Sequence, residues 1–179
     1  MAGDTILREL EGKKILVLGG AGYIGRHIVP VLCDNGGDVT VFDKRPKNEV
    51  LEPNKYIHGS IEDRLFLENA IKNVDPNIII DLAALTEVDE NKSLFEYREN
   101  FCSPGIIAEI ISANKNLSVS KVIFTSSQYV IGPNKEFRKL LAYFPHTDYG
   151  QSKVLMEQQV FNHSSIFKAA GVSVAIIRP

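Results

Sequence analysis

Four glycines crowd into seven residues, Gly19-Gly20-Ala21-Gly22-Tyr23-Ile24-Gly25, directly after the run Lys14-Ile15-Leu16-Val17-Leu18. A buried strand that enters a glycine turn and then an amphipathic stretch, here about Ile24 to Cys33, has few folds open to it. The rest of the chain repeats the theme. Asp38-Val39-Thr40-Val41-Phe42, Tyr56-Ile57-His58, Asn77-Ile78-Ile79-Ile80, Lys121-Val122-Ile123-Phe124-Thr125 and Val172 to Ile177 read as five further strands. Helical stretches separate most of them: one capped by Asp63, one from about Leu94 to Lys115 with Pro104-Gly105 as a candidate bend, and one from about Tyr149 to Ala170. Strands alternating with helices predict an α/β fold with a parallel sheet.

The chain has 179 residues, 44% hydrophobic and 23% charged, which fits one globular domain and excludes a disordered or collagen-like chain. Residues 1–12 read as an N-terminal extension and 13–179 as the domain. Twenty Lys and Arg against twenty-two Asp and Glu, with neither sign gathered into a block, exclude nucleic acid and acidic membrane surfaces as expected partners. No apolar run reaches membrane-helix length, and Met1 to Lys14 lacks the apolar centre of a signal peptide, so a cytoplasmic protein is expected. Cys33 and Cys102 match no metal or redox spacing and are expected to be buried packing residues. His27, His58, His146 and His163 are too scattered for a metal site, although His146 is close to Tyr149 in sequence; no metal is expected. Gly132 to Asp148, with the apolar Leu140-Leu141-Ala142-Tyr143-Phe144, is a long loop that reads equally as a lid or a surface excursion.

The context of the glycine turn suggests a ligand. Gly19 suits the tight turn, Gly22 the close approach of backbone to a pyrophosphate, and Gly25 the packing of helix on strand. The helix start then offers free N–H groups and a positive dipole end. Arg26-His27 replace the Lys-Ser/Thr of a nucleotide triphosphatase loop. Eighteen residues beyond Gly25, Asp43 ends the second strand, where a carboxylate accepts from adenosine ribose hydroxyls and repels a 2′-phosphate. NAD is therefore favoured over NADP, while Lys44 and Arg45 are cations that a 2′-phosphate could use; Arg45 could also stack on adenine.

Tyr149-Gly150-Gln151-Ser152-Lys153 puts a phenol and an ammonium at i and i+4 on one helix face. A phenol of ordinary pKa, about 10, is a poor base at neutral pH, but a nearby Lys and a positive nicotinamide favour phenolate. Ser127 lies just past the fifth strand, at the carboxyl edge where ligands of open α/β sheets bind.

These motifs, with Asp81-Leu82-Ala83-Ala84 and Ser126-Ser127-Gln128-Tyr129-Val130-Ile131-Gly132, resemble the extended short-chain dehydrogenase/reductase family over nearly the whole chain from Lys13 to Pro179. Within it the chain is most similar to NAD-dependent nucleotide-sugar epimerases and dehydratases. The resemblance implies a Rossmann-type doubly wound parallel sheet, with Ser127, Tyr149 and Lys153 as the catalytic triad and Tyr149 and Lys153 also beside the nicotinamide ribose. It further implies cofactor contacts from Tyr23 and Ile24 at the pyrophosphate and Ser60 and Ile61 at adenine. Leu82, Ala83, Ala84 and Thr86 would line the nicotinamide side, Asn100 would anchor the nearby helix, and a homodimer is expected.

Several positions depart from that pattern. Ser60 stands where the family usually has Asp, and Asp81 where it has His, which makes Asp81 either a second carboxylate near the cofactor or a hydrogen-bonded strand terminus. Gln128 and Tyr129 occupy the acidic positions of the dehydratases and cannot eliminate water by acid–base chemistry at neutral pH. A 4-epimerase acting on a nucleotide sugar through a keto-sugar is thus expected. A keto-sugar reductase or dehydratase, or a non-catalytic dinucleotide-binding module, remain alternatives. Ile176-Ile177-Arg178-Pro179 resembles the family's sixth strand and its exit, so the C-terminal substrate region is expected to lie beyond this chain, and the chain alone to bind dinucleotide with little turnover.

Overall fold

A computed structural model describes residues 10–46, 55–132 and 143–179. Most of the expected N-terminal extension, and residues 133–142 of the long loop with Leu140, Leu141 and Ala142, lie outside the described residues. The elements run β1 (Lys14–Leu18), α1 (Tyr23–Asp34), β2 (Asp38–Asp43), β3 (Tyr56–His58), α2 (Arg64–Val74), β4 (Ile78–Asp81), a 3-10 turn (Leu94–Tyr97), α3 (Glu99–Ala113), β5 (Lys121–Thr125), a second 3-10 turn (Gln128–Val130), α4 (Asp148–Asn162), α5 (Ser164–Ala169) and β6 (Ser173–Ile177). All six strands are parallel, in the order β3-β2-β1-β4-β5-β6. This is the doubly wound order, in which chain direction across the sheet reverses between β1 and β4 and a crevice opens at their carboxyl ends.

Burial on both faces is why the strands are continuous apolar runs. In β1, Leu16 and Leu18 join the larger core with Leu67 and Ile71 of α2, Ile107 and Ile110 of α3, Met156 of α4 and Phe167 of α5. Ile15 and Val17 point the other way, into a smaller core with Val39, Val41 and Val29 of α1. Leu10 packs against that second cluster. Asp63 caps α2, its carboxylate accepting from the Phe66 N–H at 3.0 Å.

Three expectations need correction. The last helix is not continuous to Ala170: α4 stops at Asn162, where the His163 ring bonds the Gln159 carbonyl at 2.8 Å and a new helix starts. The stretch from Leu94 opens as a 3-10 turn, and the α-helix begins only at Glu99, then runs unbroken through Pro104. Cys33 is exposed rather than buried: it stands in the last turn of α1, past Gly25 and Val29, the two residues that helix buries; Cys102 is half-buried, and no disulfide joins the two.

Gly25 is where α1 meets β1. A Cβ built on it would stand 2.3 Å from the Gly20 carbonyl oxygen, a backbone atom with no way to yield. Gly25→Ala should cost about 2 kcal/mol of overpacking, which for a chain of this size is roughly 4–8 °C of melting temperature. A thermal melt of the variant checks this, and an unchanged midpoint would contradict it.

Candidate functional site

The turn from β1 into α1 forms one wall of the site. Gly19 has φ of 74°, and a Cβ there would come within 2.6 Å of the Ala83 backbone nitrogen. Only glycine allows both the left-handed backbone and that approach. Gly22 sits at the N-cap of α1 and has no side chain to cap it, so the first N–H groups of the helix face the crevice. A Cβ on Gly22 would meet little but the Gly19 oxygen at 3.1 Å, which leaves this glycine open to a ligand. Tyr23 is 74% exposed beside it.

Asp43 closes the opposite wall. It is buried, and its carboxylate accepts from the Ala21 N–H at 2.9 Å and the Arg45 N–H at 2.8 Å. The acid therefore holds the glycine turn to β2 as well as facing the cleft. Each oxygen accepts one N–H here and retains a lone pair for a further donor.

Between these walls lies a cleft of about 390 Å³. Gly19, Gly22, Tyr23, Ile24 and Gly25 line its glycine side, and Asp43, Lys44, Ser60 and Ile61 its β2–β3 side. Leu82, Ala83, Ala84 and Thr86 line the third side, after β4. Thirteen positions picked from sequence thus share one cavity. Size alone does not single it out, because a larger apolar groove of about 900 Å³ runs along β6 and α5.

The remaining sequence-predicted residues, Asn100, Ser127, Tyr149 and Lys153, do not line this cleft. Asn100 is buried at the start of α3 and clasps the segment after β4, accepting from the Leu85 N–H at 2.7 Å and donating to the Leu85 carbonyl at 3.0 Å. Its amide also donates to Ser152 Oγ at 3.0 Å, and Ser152 donates to the Tyr149 carbonyl at 2.6 Å. One buried amide therefore ties α4 to the cleft wall. Ser127 follows β5 and accepts from the Tyr129 N–H at 3.3 Å. Tyr149 is 8% exposed, its ring edge-on to Tyr97 and Tyr129 at 6.1 and 5.5 Å between centroids. His146 stacks on Tyr129 at 5.9 Å. Lys153, 3% exposed, donates to the Thr125 carbonyl at 2.9 Å.

Burial governs the titration of this group. It raises the Tyr149 phenol above its usual 10, with Tyr129 and Tyr97 adding to the rise and Ser127 opposing it. Burial depresses Lys153 to about 8, opposed by the charges of Asp81 and Glu99. Asp81 is buried at the end of β4 and raised by desolvation, against hydrogen bonds from Ser103 Oγ–H at 2.5 Å and the Ala83 N–H at 3.1 Å and the charge of Lys153. Asp81 is thus a hydrogen-bonded strand terminus, and a carboxylate electrostatically coupled to Lys153.

Sequence reading passed over two acids. Glu99 lines the cleft and pairs with Lys44 at 2.5 Å. Glu157, 1% exposed, accepts from Ser126 Oγ–H at 2.6 Å, Tyr143 O–H at 2.9 Å and the Arg178 guanidinium at 2.7 and 2.5 Å. Its place one turn after Lys153 on the same face was the available signal; Glu99 had only its adjacency to Asn100.

The family model described as "NAD dependent epimerase/dehydratase family" matches residues 15–179. A UDP-glucose 4-epimerase of Lactobacillus helveticus is 30% identical over 81% of this chain and 45% of its own length. A 3 beta-hydroxysteroid dehydrogenase/Delta 5-->4-isomerase of Mycobacterium tuberculosis is 27% identical over 99% of this chain and 49% of its own length. The solved structure of MoeE5 in complex with UDP-glucuronic acid and NAD superposes with a TM-score of 0.77 at 27% identity, over 92% of this chain and 54% of that one. The chain spans about half the length of the relatives it matches.

The depressed Lys153 makes a pH prediction. Its folded value of about 8 lies below the usual 10.5. Between the two the unfolded chain holds the extra proton, so this lysine's contribution to stability is least favourable below pH 8 and improves as pH rises through that window. Nitrogen-detected NMR of labelled lysines should find one titrating near 8; a uniform set near 10.5 would contradict the burial argument.

Proposed function

Because the chain belongs to the NAD dependent epimerase/dehydratase family, we propose that it binds NAD in the glycine-turn cleft and carries the catalytic groups of a nucleotide-sugar 4-epimerase. The observation that supports this most is the convergence of the glycine turn, Asp43 and the post-β4 segment on one cleft; Ser127, Tyr149 and Lys153 do not line it, but the charge of Glu99, which does, reaches Lys153. In this reading the α1 N–H groups near Tyr23 and Ile24 take the pyrophosphate. Asp43 takes the adenosine ribose hydroxyls, Ser60 and Ile61 flank adenine, and Leu82, Ala83, Ala84 and Thr86 pack beside nicotinamide. Asn100 keeps that wall in place.

NAD supplies a reversible hydride acceptor and, oxidised, a positive charge. Tyr149 removes the proton from the sugar hydroxyl, Ser127 holds the same oxygen, and Lys153 orients the ribose and favours phenolate through its charge. The phenol's raised pKa in this chain suits the reverse step equally, since a protonated Tyr149 returns the proton to the keto-sugar. Gln128 and Tyr129, which carry no carboxylate, leave no obvious acid for dehydration. A homodimer through α3 and α4 belongs to the same reading.

The similarity to a dehydrogenase over almost the entire chain favours one alternative, a net oxidoreductase that releases changed cofactor. Nicotinamide absorbance separates the two. An epimerase interconverts UDP-glucose and UDP-galactose with no net absorbance change, whereas stoichiometric reduction or oxidation overturns the epimerase reading.

NAD at about a hundred times its dissociation constant should stabilise the fold by about 2.7 kcal/mol, several degrees of melting temperature. Tyr149→Phe should retain that shift and lose about 10²–10⁴-fold in turnover. Full activity in the phenylalanine variant would refute the assignment of Tyr149.

A further inference from the structure

Lys44 directly follows Asp43 at the cleft, where its ammonium could serve a 2′-phosphate and admit NADP. The structure gives that ammonium another partner. Lys44 Nζ lies 2.5 Å from Glu99 Oε2, an acid at the first residue of α3 and fifty-five positions away in the chain. The Glu99 side chain is only 10% exposed and that of Lys44 is 56% exposed, so the carboxylate is the fixed end and the lysine comes to it. The backbone beneath Lys44 is fixed as well. Asp43 accepts from the Arg45 N–H at 2.8 Å, Tyr56 O–H donates to the Arg45 carbonyl at 2.6 Å, and the His58 ring bonds the Lys44 carbonyl at 2.9 Å. With both neighbours tied down, only rotation of the Lys44 stem can move its charge. Arg45 also lines the cleft, its Nη1 3.8 Å from where a Cβ on Gly22 would stand; it is common to every variant compared below, so the comparison isolates Lys44.

We infer that Glu99 is a specificity-determining residue for the dinucleotide: by holding the Lys44 ammonium it withdraws a cation that a 2′-phosphate could otherwise use. The inference rests on the reading that the cleft takes a dinucleotide. A phosphomonoester carries close to two negative charges at neutral pH. In this cleft it meets a Lys44 ammonium already held by Glu99, with Arg26 and Arg45 as the other cations of the lining. The 2′-hydroxyls of NAD need no such cation, and Asp43 favours them. Glu99 therefore sharpens a preference that Asp43 begins, and does so from a different element of the fold.

The test is a calorimetric titration of the chain and its variants with NAD and with NADP, read as the ratio of the two dissociation constants. Glu99→Gln keeps the shape of the side chain and removes its charge. It should lower the NADP-to-NAD ratio about tenfold, the order expected when one charge-assisted contact to phosphate becomes available. Adding Lys44→Met to Glu99→Gln should restore the original ratio, because the released lysine is what gains the phosphate. Lys44→Met alone should leave the ratio within about twofold, since the sequestered lysine contributes nothing to discrimination.

An unmoved ratio in Glu99→Gln overturns the inference, as does a gain that survives Lys44→Met. A tenfold rise of the ratio in Lys44→Met alone also overturns it, by showing that the lysine already serves the phosphate; this arm stands even if the glutamine variant does not fold. A wild-type chain that binds neither dinucleotide overturns the reading of the cleft, and this inference with it. A wild-type chain that binds NAD while the variant ratio stays fixed overturns this inference alone.

Discussion

The close approach of the β1–α1 turn to the backbone after β4 is the constraint on which the site depends. Gly19 adopts a left-handed conformation with no space for a side chain against Ala83, so β1 can end and α1 begin without closing the crevice between β1 and β4. Strand order then does the rest. Because β1 and β4 are neighbours whose connections leave in opposite directions, the crevice at their carboxyl ends is open, and the α1 N–H groups face it. The carboxylate of Asp43 accepts the Ala21 N–H, so the glycine turn and the end of β2 move as one body. A residue read from sequence as a ligand for ribose also has a structural task, and its removal should disturb both.

The carboxyl edge of the sheet is densely polar for a buried region. Asp81, Asn100, Ser126, Ser152, Lys153 and Glu157 are all buried there, and each has a partner across elements. Burial of unpaired polar groups is costly, so such a cluster is stable only when its members satisfy one another. Glu157 shows the pattern. Burial pushes its carboxyl up, but Arg178, Ser126 and Tyr143 together hold it below its usual value. It binds the end of β5, where Ser127 follows, to the exit of β6 and to the return of the long loop at Tyr143. α4 is thereby braced at Asn100–Ser152 and again about one and a half turns later at Glu157.

Strands were the most legible part of the sequence. In a parallel sheet covered on both faces they are unbroken apolar runs with sharp polar borders, and Tyr56–His58 and Lys121–Thr125 coincide with β3 and β5. The glycine turn was legible because steric demands single out glycine locally. Helix ends were harder: nothing in Asn162-His163-Ser164 differs in composition from an exposed helical turn, and the break depends on the His163 ring reaching a carbonyl of its own helix. Cys33 misled because residue type carries only a tendency to burial: it follows Val29 by one turn on the same face, but stands at the end of α1, where it is exposed. Pairings such as Lys44 with Glu99, or Glu157 with Ser126, Tyr143 and Arg178, join segments that only the folded sheet brings together, so no local pattern announces them.

We propose that one crevice, built from the glycine turn, Asp43 and the segment after β4, receives the dinucleotide next to Tyr149 and Lys153. A crystal structure of the chain grown with NAD tests it most directly. The expected density has the pyrophosphate on the first N–H groups of α1, the adenosine ribose hydroxyls on the Asp43 carboxylate, and the nicotinamide ribose within hydrogen-bonding reach of Tyr149 and Lys153. NAD seated elsewhere, or in this cleft with its nicotinamide turned away from Tyr149, would contradict it.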